Sequence, residues 1–532
     1  MIGSWPQFDF INNKMVDRLT ASTQRTYLFK VGFVSHFSVT ATNKQDHFVP
    51  KCSLFDPSSA ETYLICSKTS LLRRDKHGKW MGLYETVCHL DNLVVAYEKI
   101  QYKPGLMTCA ILPETLCGIS KQRITDISVA LQNGTFRFSP MRSKFVPKPK
   151  STDTRPFTIS SPVDRIVHRT ITDVLEQVFE PIFLSVSYGF RPCVSTHSFF
   201  SKVQRWKGIK CVIHADVRKC FDQIKHSLLI RLLKKHIADN QFLDLIQQFL
   251  STPILDRKGK IYTFTDMGIP QGAVFSPILM NVVLTELDMF AMSLCRQRIE
   301  YGRFADDCTI GIRGNSDTLA RSILEKLSQF LRKELELSFR SKFIYKRGTI
   351  LGATFVLPIG EIKGDFVKIE VPMDRIKYNL APKGYMFPNK SFLFRLGNDP
   401  YAICNQYKAI ALGLLNYYGP CSNIDRLVRL IRRDLLFSLC RALGLLTGVL
   451  PHNVPRRFPD ELNRYLKGVN DVIDAIGLCP PSFHKKRIIP RSQEESDENE
   501  GKEKVMSLLF QPCSCKGCTE TDVRVFQVRK ME

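Results

Sequence analysis

Three carboxylates are spaced as metal-assisted phosphoryl chemistry would need them. Asp216 follows the apolar, β-prone run CVIHA and so stands at a strand end. Asp306 and Asp307 lie in IEYGRFADDCTIGI, where two β-prone arms flank a short polar centre. That pattern predicts a hairpin with the aspartates at its tip. Successive strand residues face opposite sides, so the turn must re-aim at least one of the pair before both can face Asp216. Crowded carboxylates repel and rise in pKa unless cations sit between them. Hard oxygen ligands favour Mg²⁺. Two such ions about 4 Å apart can activate a hydroxyl nucleophile and stabilise a departing phosphate group.

A lone Asp-Asp pair is more often a solvated turn, so its neighbours decide the matter. Between the carboxylates lies GIPQGAVFSPILMNVVLTELD, residues 268–288. Gly268, Pro270 and Gly272 make a loop in which backbone can approach a ligand closely. Ser276 and Pro277 are then expected to open a helix, serine as its N-cap and proline at its first position.

Stepping outward, strand and helix patterns alternate from Glu85 to about Pro358, which predicts a mixed α/β domain. LDNLVVAYEKI has helical apolar spacing. In 319–337, Leu319, Ile323, Leu324, Leu327, Phe330, Leu331 and Leu335 share one helical face. From about Glu361 to Cys479 the pattern is mostly helical and basic, and 484–504 reads as a polar, charge-rich linker.

The motifs come in a fixed order. FVPKPKSTDTRP (145–156), SYGFRP (187–192), HADVRKCFDQIKH (214–226), GIPQGAVFSP (268–277), RFADD (303–307) and SKFIYKRGTILGATF (341–355) together resemble the reverse transcriptases of group II introns. YKAIALGLLNYYG, further on, resembles the thumb, or X domain, of intron maturases. The likeness covers roughly residues 80 to 450. It implies an α/β right-hand polymerase, fingers and palm, followed by an α-helical thumb/maturase domain. The implied division is an unassigned N-terminal extension (1–75), fingers and palm (76–358), thumb (359–480), linker (481–510) and an endonuclease-like remnant (511–532). The implied activity is RNA-directed DNA synthesis together with assistance to intron splicing. The alternative is a splicing maturase that binds RNA without polymerising.

The resemblance also implies roles. Asp216 and Asp306 would bind two Mg²⁺ directly, Asp307 would complete the site, and the Val217 carbonyl would add an oxygen. Lys148 and Arg155 would grip the triphosphate of a dNTP, where charge-assisted bonds are strongest. Phe221 would stack beneath the sugar and exclude a 2′ hydroxyl. Gln271 would position the template-paired nucleotide, and Lys342 is a candidate proton donor to pyrophosphate. The family hairpin usually carries tyrosine where Phe304 stands, a change that spares the carboxylates. His214 and His226, flanking the first palm motif, are expected to be structural. Arg426, Arg429, Arg432 and Arg433, with Asp434 beside them, suit a phosphate-tracking RNA surface. Tyr417 and Tyr418 would either stack on RNA bases or pack on the palm.

Bulk composition agrees. Lysine and arginine total 76 against 51 acidic residues, a net charge of +25 that calls for a polyanionic partner. The expected partners are group II intron RNA and an RNA template with a DNA primer. Seventeen cysteines lack the spacing of a disulfide scaffold and read as reduced thiols. No secretory or transit peptide is recognised at the N-terminus. No run reaches the ~20 apolar residues of a membrane span, so no membrane partner is expected. Leu435–Leu450 comes closest and reads as a buried helix. Likeness of the GTFRFSP block and the tail to organellar members points to an organelle-encoded mitochondrial protein, with a bacterial cytoplasm as the alternative.

In the tail, DVRVFQVRK resembles the entry segment of an HNH endonuclease, but Phe526 and Gln527 stand where histidines are usual. Cys513, Cys515 and Cys518 fall one short of the four ligands of a structural zinc site, and zinc is not expected. A nuclease needs a basic group, which neither phenylalanine nor an amide supplies. Purified protein is therefore expected not to nick double-stranded DNA in a metal-dependent way. Deleting 505–532 should leave primer extension and splicing assistance unchanged, as gel assays of nicking, extension and splicing would report.

Overall fold

Apolar side chains at six of the nine positions of IKCVIHADV, three of them in the unbroken run CVI, suit a strand covered on both faces. In the computed structural model, Ile209–Val217 is such a strand, with all but two residues buried. The structure describes residues 71–476 apart from 104, 106, 148–153, 257–260, 263–265, 296–297, 315–316, 359–365 and 389–398. Residues 1–70 of the unassigned extension 1–75, the linker and the cysteine-bearing tail lie outside the described residues.

Ile209–Val217 is the second strand of a four-stranded antiparallel sheet. Phe339–Ile344 flanks it on one side; on the other come Asp307–Arg313 and then Ile299–Phe304. The last two strands form the expected hairpin. Beyond its outer strand, Ser187 bridges Arg303 in parallel, so the SYG segment extends the sheet by a few residues. A second sheet runs Thr154–Ile159, Met141–Pro147, Ile254–Leu255, Ile261–Tyr262. Helices Leu90–Ile100, Pro162–Phe179 and Ser276–Leu294 bury their apolar residues in the core shared with the central strand. Asp317–Glu334 places Ala320, Ile323, Leu327 and Leu331 inside, as its spacing predicts. Mixed helices and sheets thus precede a helical C-terminal part, the class expected from the sequence.

Contacts divide the chain into two compact units: Met1–Asn379 with Gly413–Leu430, and Leu380–Leu412 with Ile431–Glu532. In the first, Tyr417 and Tyr418 are held by packing. Their hydroxyls donate to the carbonyls of Leu351 and Gly352, both in left-handed backbone. His197 and Gln204 bond the carbonyls of Tyr417 and Pro420. Of the two roles weighed for these tyrosines, the palm contact is the one observed. In the second unit, Tyr407 shares a hydrogen bond with Ser438, whose hydroxyl donates to the Tyr385 carbonyl.

Two sequence expectations need correction. Among the described residues, the helix long and apolar enough to cross a membrane is Ser276–Leu294, not Leu435–Leu450. Its length and composition come from packing in a core: twelve of its residues are buried, Asp288 among them. Leu436–Thr447 is amphipathic rather than buried throughout. Leu439, Ala442 and Leu443 point inward, while Phe437, Arg441 and Leu445 are exposed.

The central sheet packs tightly on Trp206 at its third strand. A Cβ at Gly311 would come within 2.9 Å of the Trp206 ring, which is buried beside it. Truncating Trp206 to alanine opens a cavity there, expected to cost about 3–5 kcal/mol. Chemical denaturation of the variant beside wild type checks it.

Candidate active site

Pairing register decides which side chains meet. Asp216 is the cross-strand partner of Asp307, and partners share a face. The hairpin turn is two residues long, Ala305 and Asp306, because Phe304 pairs with Asp307. Ala305 has φ 55°, a left-handed conformation unusual for alanine. The turn carries Asp306 to the end of the central strand, where its carbonyl accepts from the Val217 N–H at 3.1 Å. The structure therefore brings together Asp216, Val217, Asp306 and Asp307. Asp306, rather than both aspartates, occupies the tip.

Electrostatics mark the cluster. Burial, then the charges of Asp306 and Asp307, push Asp216 up to about 7. Burial, then Asp307, pushes Asp306 up to about 7 as well, against a counteracting pull from Arg155. Among the described residues no three Asp, Glu, His or Cys side chains converge enough to hold a metal ion.

Asp307 has a partner that sequence reasoning missed. His214 Nε2 donates to Asp307 Oδ1 at 3.0 Å, with both side chains nearly buried. The signal was present: His214 lies two residues before Asp216, hence on the same strand face. Lys342 lies opposite His214 on the next strand. Its ammonium donates to the Thr349 carbonyl at 2.8 Å, and burial lowers its pKa against the pull of Asp307.

The glycine loop docks beside this cluster by backbone bonds. Ile269 N–H donates to the Phe221 carbonyl (2.7 Å) and Gly268 N–H to that of Ile224 (2.8 Å). Phe221 is half-buried on the short helix Cys220–Gln223. The Gln271 side chain donates to Asp222 at 2.9 Å, while its carbonyl accepts from the Thr158 N–H and hydroxyl. At Gly272 (φ 123°) a Cβ would lie 2.3 Å from the Thr158 carbonyl, so that position needs glycine. Ser276 is not the N-cap. It is the first helical residue, and its hydroxyl donates to the Pro270 carbonyl at 2.7 Å, bracing the loop rather than the helix.

The remaining candidates are scattered. Arg155 is exposed on the second sheet, within electrostatic reach of Asp306. Lys148 lies outside the described residues. Arg426 and Arg429 are exposed on the helix Ile424–Arg429. Arg432 and Arg433 follow in a π-helical turn, Leu430–Leu435, and belong to the other unit. Arg432 donates to Asn470 at 2.8 Å and Arg433 pairs with Asp434 at 2.7 Å.

The raised carboxyls give a pH signature. In the fold, Asp216 and Asp306 hold their protons up to about 7, against 3.8 for an ordinary aspartate carboxyl. The native state binds the protons more tightly, so stability is greatest at low pH and falls as pH rises between those values, then levels off. In a chelator, the melting temperature should drop from about pH 4 to about pH 7. Asp306→Asn should flatten that drop; an unchanged profile would refute the coupling.

Comparison with known proteins follows the motif order. Residues 146–345 match the family described as reverse transcriptase (RNA-dependent DNA polymerase), and 365–445 match type II intron maturase. The COX1/OXI3 intron 1 protein of Saccharomyces cerevisiae is 29% identical over 443 residues, 68% of this chain and 53% of the relative. The chain thus spans about half the length of that relative. Group II intron-encoded protein LtrA of Lactococcus lactis is 34% identical over 213 residues, 40% of this chain and 35% of LtrA. The mitochondrial protein ymf11 of Marchantia polymorpha is 36% identical over 134 residues, 25% of this chain and 17% of its own. With a reverse transcriptase domain followed directly by a type II intron maturase domain, this chain belongs to the group II intron reverse transcriptase/maturase family.

Proposed function

We propose that the chain is an RNA-directed DNA polymerase encoded by a group II intron, and that it also binds the intron RNA and assists its splicing. One observation carries the reading. Asp216, Asp306 and Asp307 are all present, two of them with carboxyl pKa values raised by burial and by the charge of neighbouring carboxylates. Folding a protein around such repulsion is costly unless a cation relieves it.

Asp216 and Asp306 would bind two Mg²⁺, with Asp307 and the Val217 carbonyl completing the oxygen set; all-oxygen donors suit that ion. When bound, the ions supply activation of the primer 3′ hydroxyl and charge relief for departing pyrophosphate. His214 would keep one oxygen of Asp307 oriented. Arg155, with Lys148, would hold the triphosphate of a dNTP, and its electrostatic reach to Asp306 supports that placement. Phe221 would exclude a 2′ hydroxyl. Gln271, tied to Asp222, would carry the template-paired nucleotide. Lys342 would have to release the Thr349 carbonyl before giving a proton to pyrophosphate.

The exposed Arg426 and Arg429, with Arg432 and Arg433, would contact intron RNA through its phosphates. We further propose residues 76–358 as fingers and palm and 359–480 as the maturase region, acting in a mitochondrion. Relatives from a bacterium and from mitochondria keep a bacterial cytoplasm as the second location.

Primer extension on an RNA template tests the reading. Asp306→Ala removes a metal ligand but no RNA contact, so it should abolish extension while intron RNA affinity stays within about 2-fold. Extension near the wild-type rate in that variant refutes the site. If wild type itself fails to extend but promotes splicing, the chain is an RNA-binding maturase without polymerase activity.

A further inference from the structure

Beneath the aspartate hairpin lies a buried cation. Arg303, next to last in the strand Ile299–Phe304, is wholly buried, as is its counter-ion Asp288. Every guanidinium hydrogen has an acceptor. Nε and Nη2 donate to the two Asp288 oxygens at 2.8 and 2.6 Å. Nη2 also donates to the Ser187 hydroxyl (2.9 Å), and Nη1 to Asn281 Oδ1 (2.8 Å). The fifth bond runs from Nη1 to the carbonyl of Ala305 at 2.7 Å.

That last acceptor belongs to the left-handed turn residue, the one immediately before Asp306. Asp288 and Asn281 lie two turns apart on Ser276–Leu294, so the fork ties the turn to a rigid helix. The same asparagine donates to the Gly189 carbonyl at 2.8 Å. Gly189 is pressed so closely on the turn that a Cβ there would lie 2.3 Å from the Ala305 nitrogen.

Stability alone accounts poorly for this cluster. A buried ion pair repays its desolvation only with excellent geometry, and replacement by neutral or apolar groups is often harmless. The planar fork does what a neutral pair of similar size cannot. It reaches past its counter-ion to hold a main-chain carbonyl at a set distance from the helix.

We propose that Arg303 is a positioning residue for catalysis, fixing the Ala305 carbonyl and thereby the aim of Asp306, with Asp288, Asn281 and Ser187 as its anchors. Arg303 touches no reacting group itself. The inference rests on the polymerase reading above. A misplacement of about 1 Å at such a site costs on the order of 10²-fold in rate.

The test replaces the ion pair without stranding a charge: Arg303→Gln together with Asp288→Asn. Tyr301, whose hydroxyl donates to Asp288 at 2.8 Å, keeps an acceptor in that variant. Three readouts are compared with wild type: template–primer affinity, the kcat and KM of dNTP addition across a Mg²⁺ titration, and hydrogen exchange of amides 304–307. The expected result is unchanged template–primer affinity and dNTP KM. kcat should fall about 10- to 100-fold, the Mg²⁺ midpoint should rise, and hairpin exchange should quicken. A folded double variant with wild-type kcat and hairpin protection overturns the proposal.

Should the double variant not fold, Arg303→Lys decides. It keeps the charge beside Asp288 but loses the fork, so it should fold and lose kcat; wild-type kcat would overturn the proposal. If wild type shows no extension at all, the polymerase reading fails. Hairpin exchange in the same variants then still tells whether Arg303 holds the turn.

Discussion

Mutual repulsion among Asp216, Asp306 and Asp307 is the constraint around which this chain is built. Two of the three are driven toward neutrality by burial and by the charge of neighbouring carboxylates, Asp307 in both cases. Such a group persists only where the surroundings leave it no escape. Here the restraint is strand register and hydrogen bonding. The central strand cannot shift without moving its whole apolar set off the core, and the hairpin is paired to it over seven residue pairs. Each acid is therefore carried by backbone that is itself pinned.

Around this sits a layer of polar contacts that aim the acids. His214 bonds Asp307, the Val217 N–H bonds the Asp306 carbonyl, and Arg303 holds the Ala305 carbonyl. The glycine loop is brought alongside by main-chain bonds to residues 221–224 and to Thr158. Two glycines matter there for the close approach they allow, Gly189 against the turn and Gly272 against Thr158. Motifs far apart in sequence, SYGFRP, HADVRKCFDQIKH, GIPQGAVFSP and RFADD, are thus one contact set. Their separate appearance along the chain reflects connectivity, not independent function.

The C-terminal half is organised by different forces. Residues 413–430 join the first unit through two tyrosine hydroxyls on main-chain carbonyls, so the aromatic pair that suits base stacking is spent on packing. The arginine run divides at a π-helical turn: Arg426 and Arg429 stay exposed on a helix, Arg432 bonds Asn470, and Arg433 pairs with Asp434 while remaining exposed. An extra residue in a helical turn rotates everything after it, which simple periodicity does not anticipate.

Much was legible from residue types alone. Two β-prone arms around a short polar centre make a hairpin, though its turn is Ala305 and Asp306 rather than the aspartate pair, and apolar spacing gave the helices Leu90–Ile100 and Asp317–Glu334. These are local properties, set by backbone sterics and side-chain period within a few residues. What only the tertiary structure decided is long-range. Ser276 braces Pro270 instead of capping its helix, because the helix begins one residue earlier, with Phe275 in the cap position. The apolar helix Ser276–Leu294 is a core element, since other layers cover its faces. Arg303 finds Asp288, Asn281 and Ser187 up to 116 positions away. Sequence spacing encodes which groups a segment can present; which partner satisfies a buried donor depends on desolvation, settled only when the whole chain has closed around it.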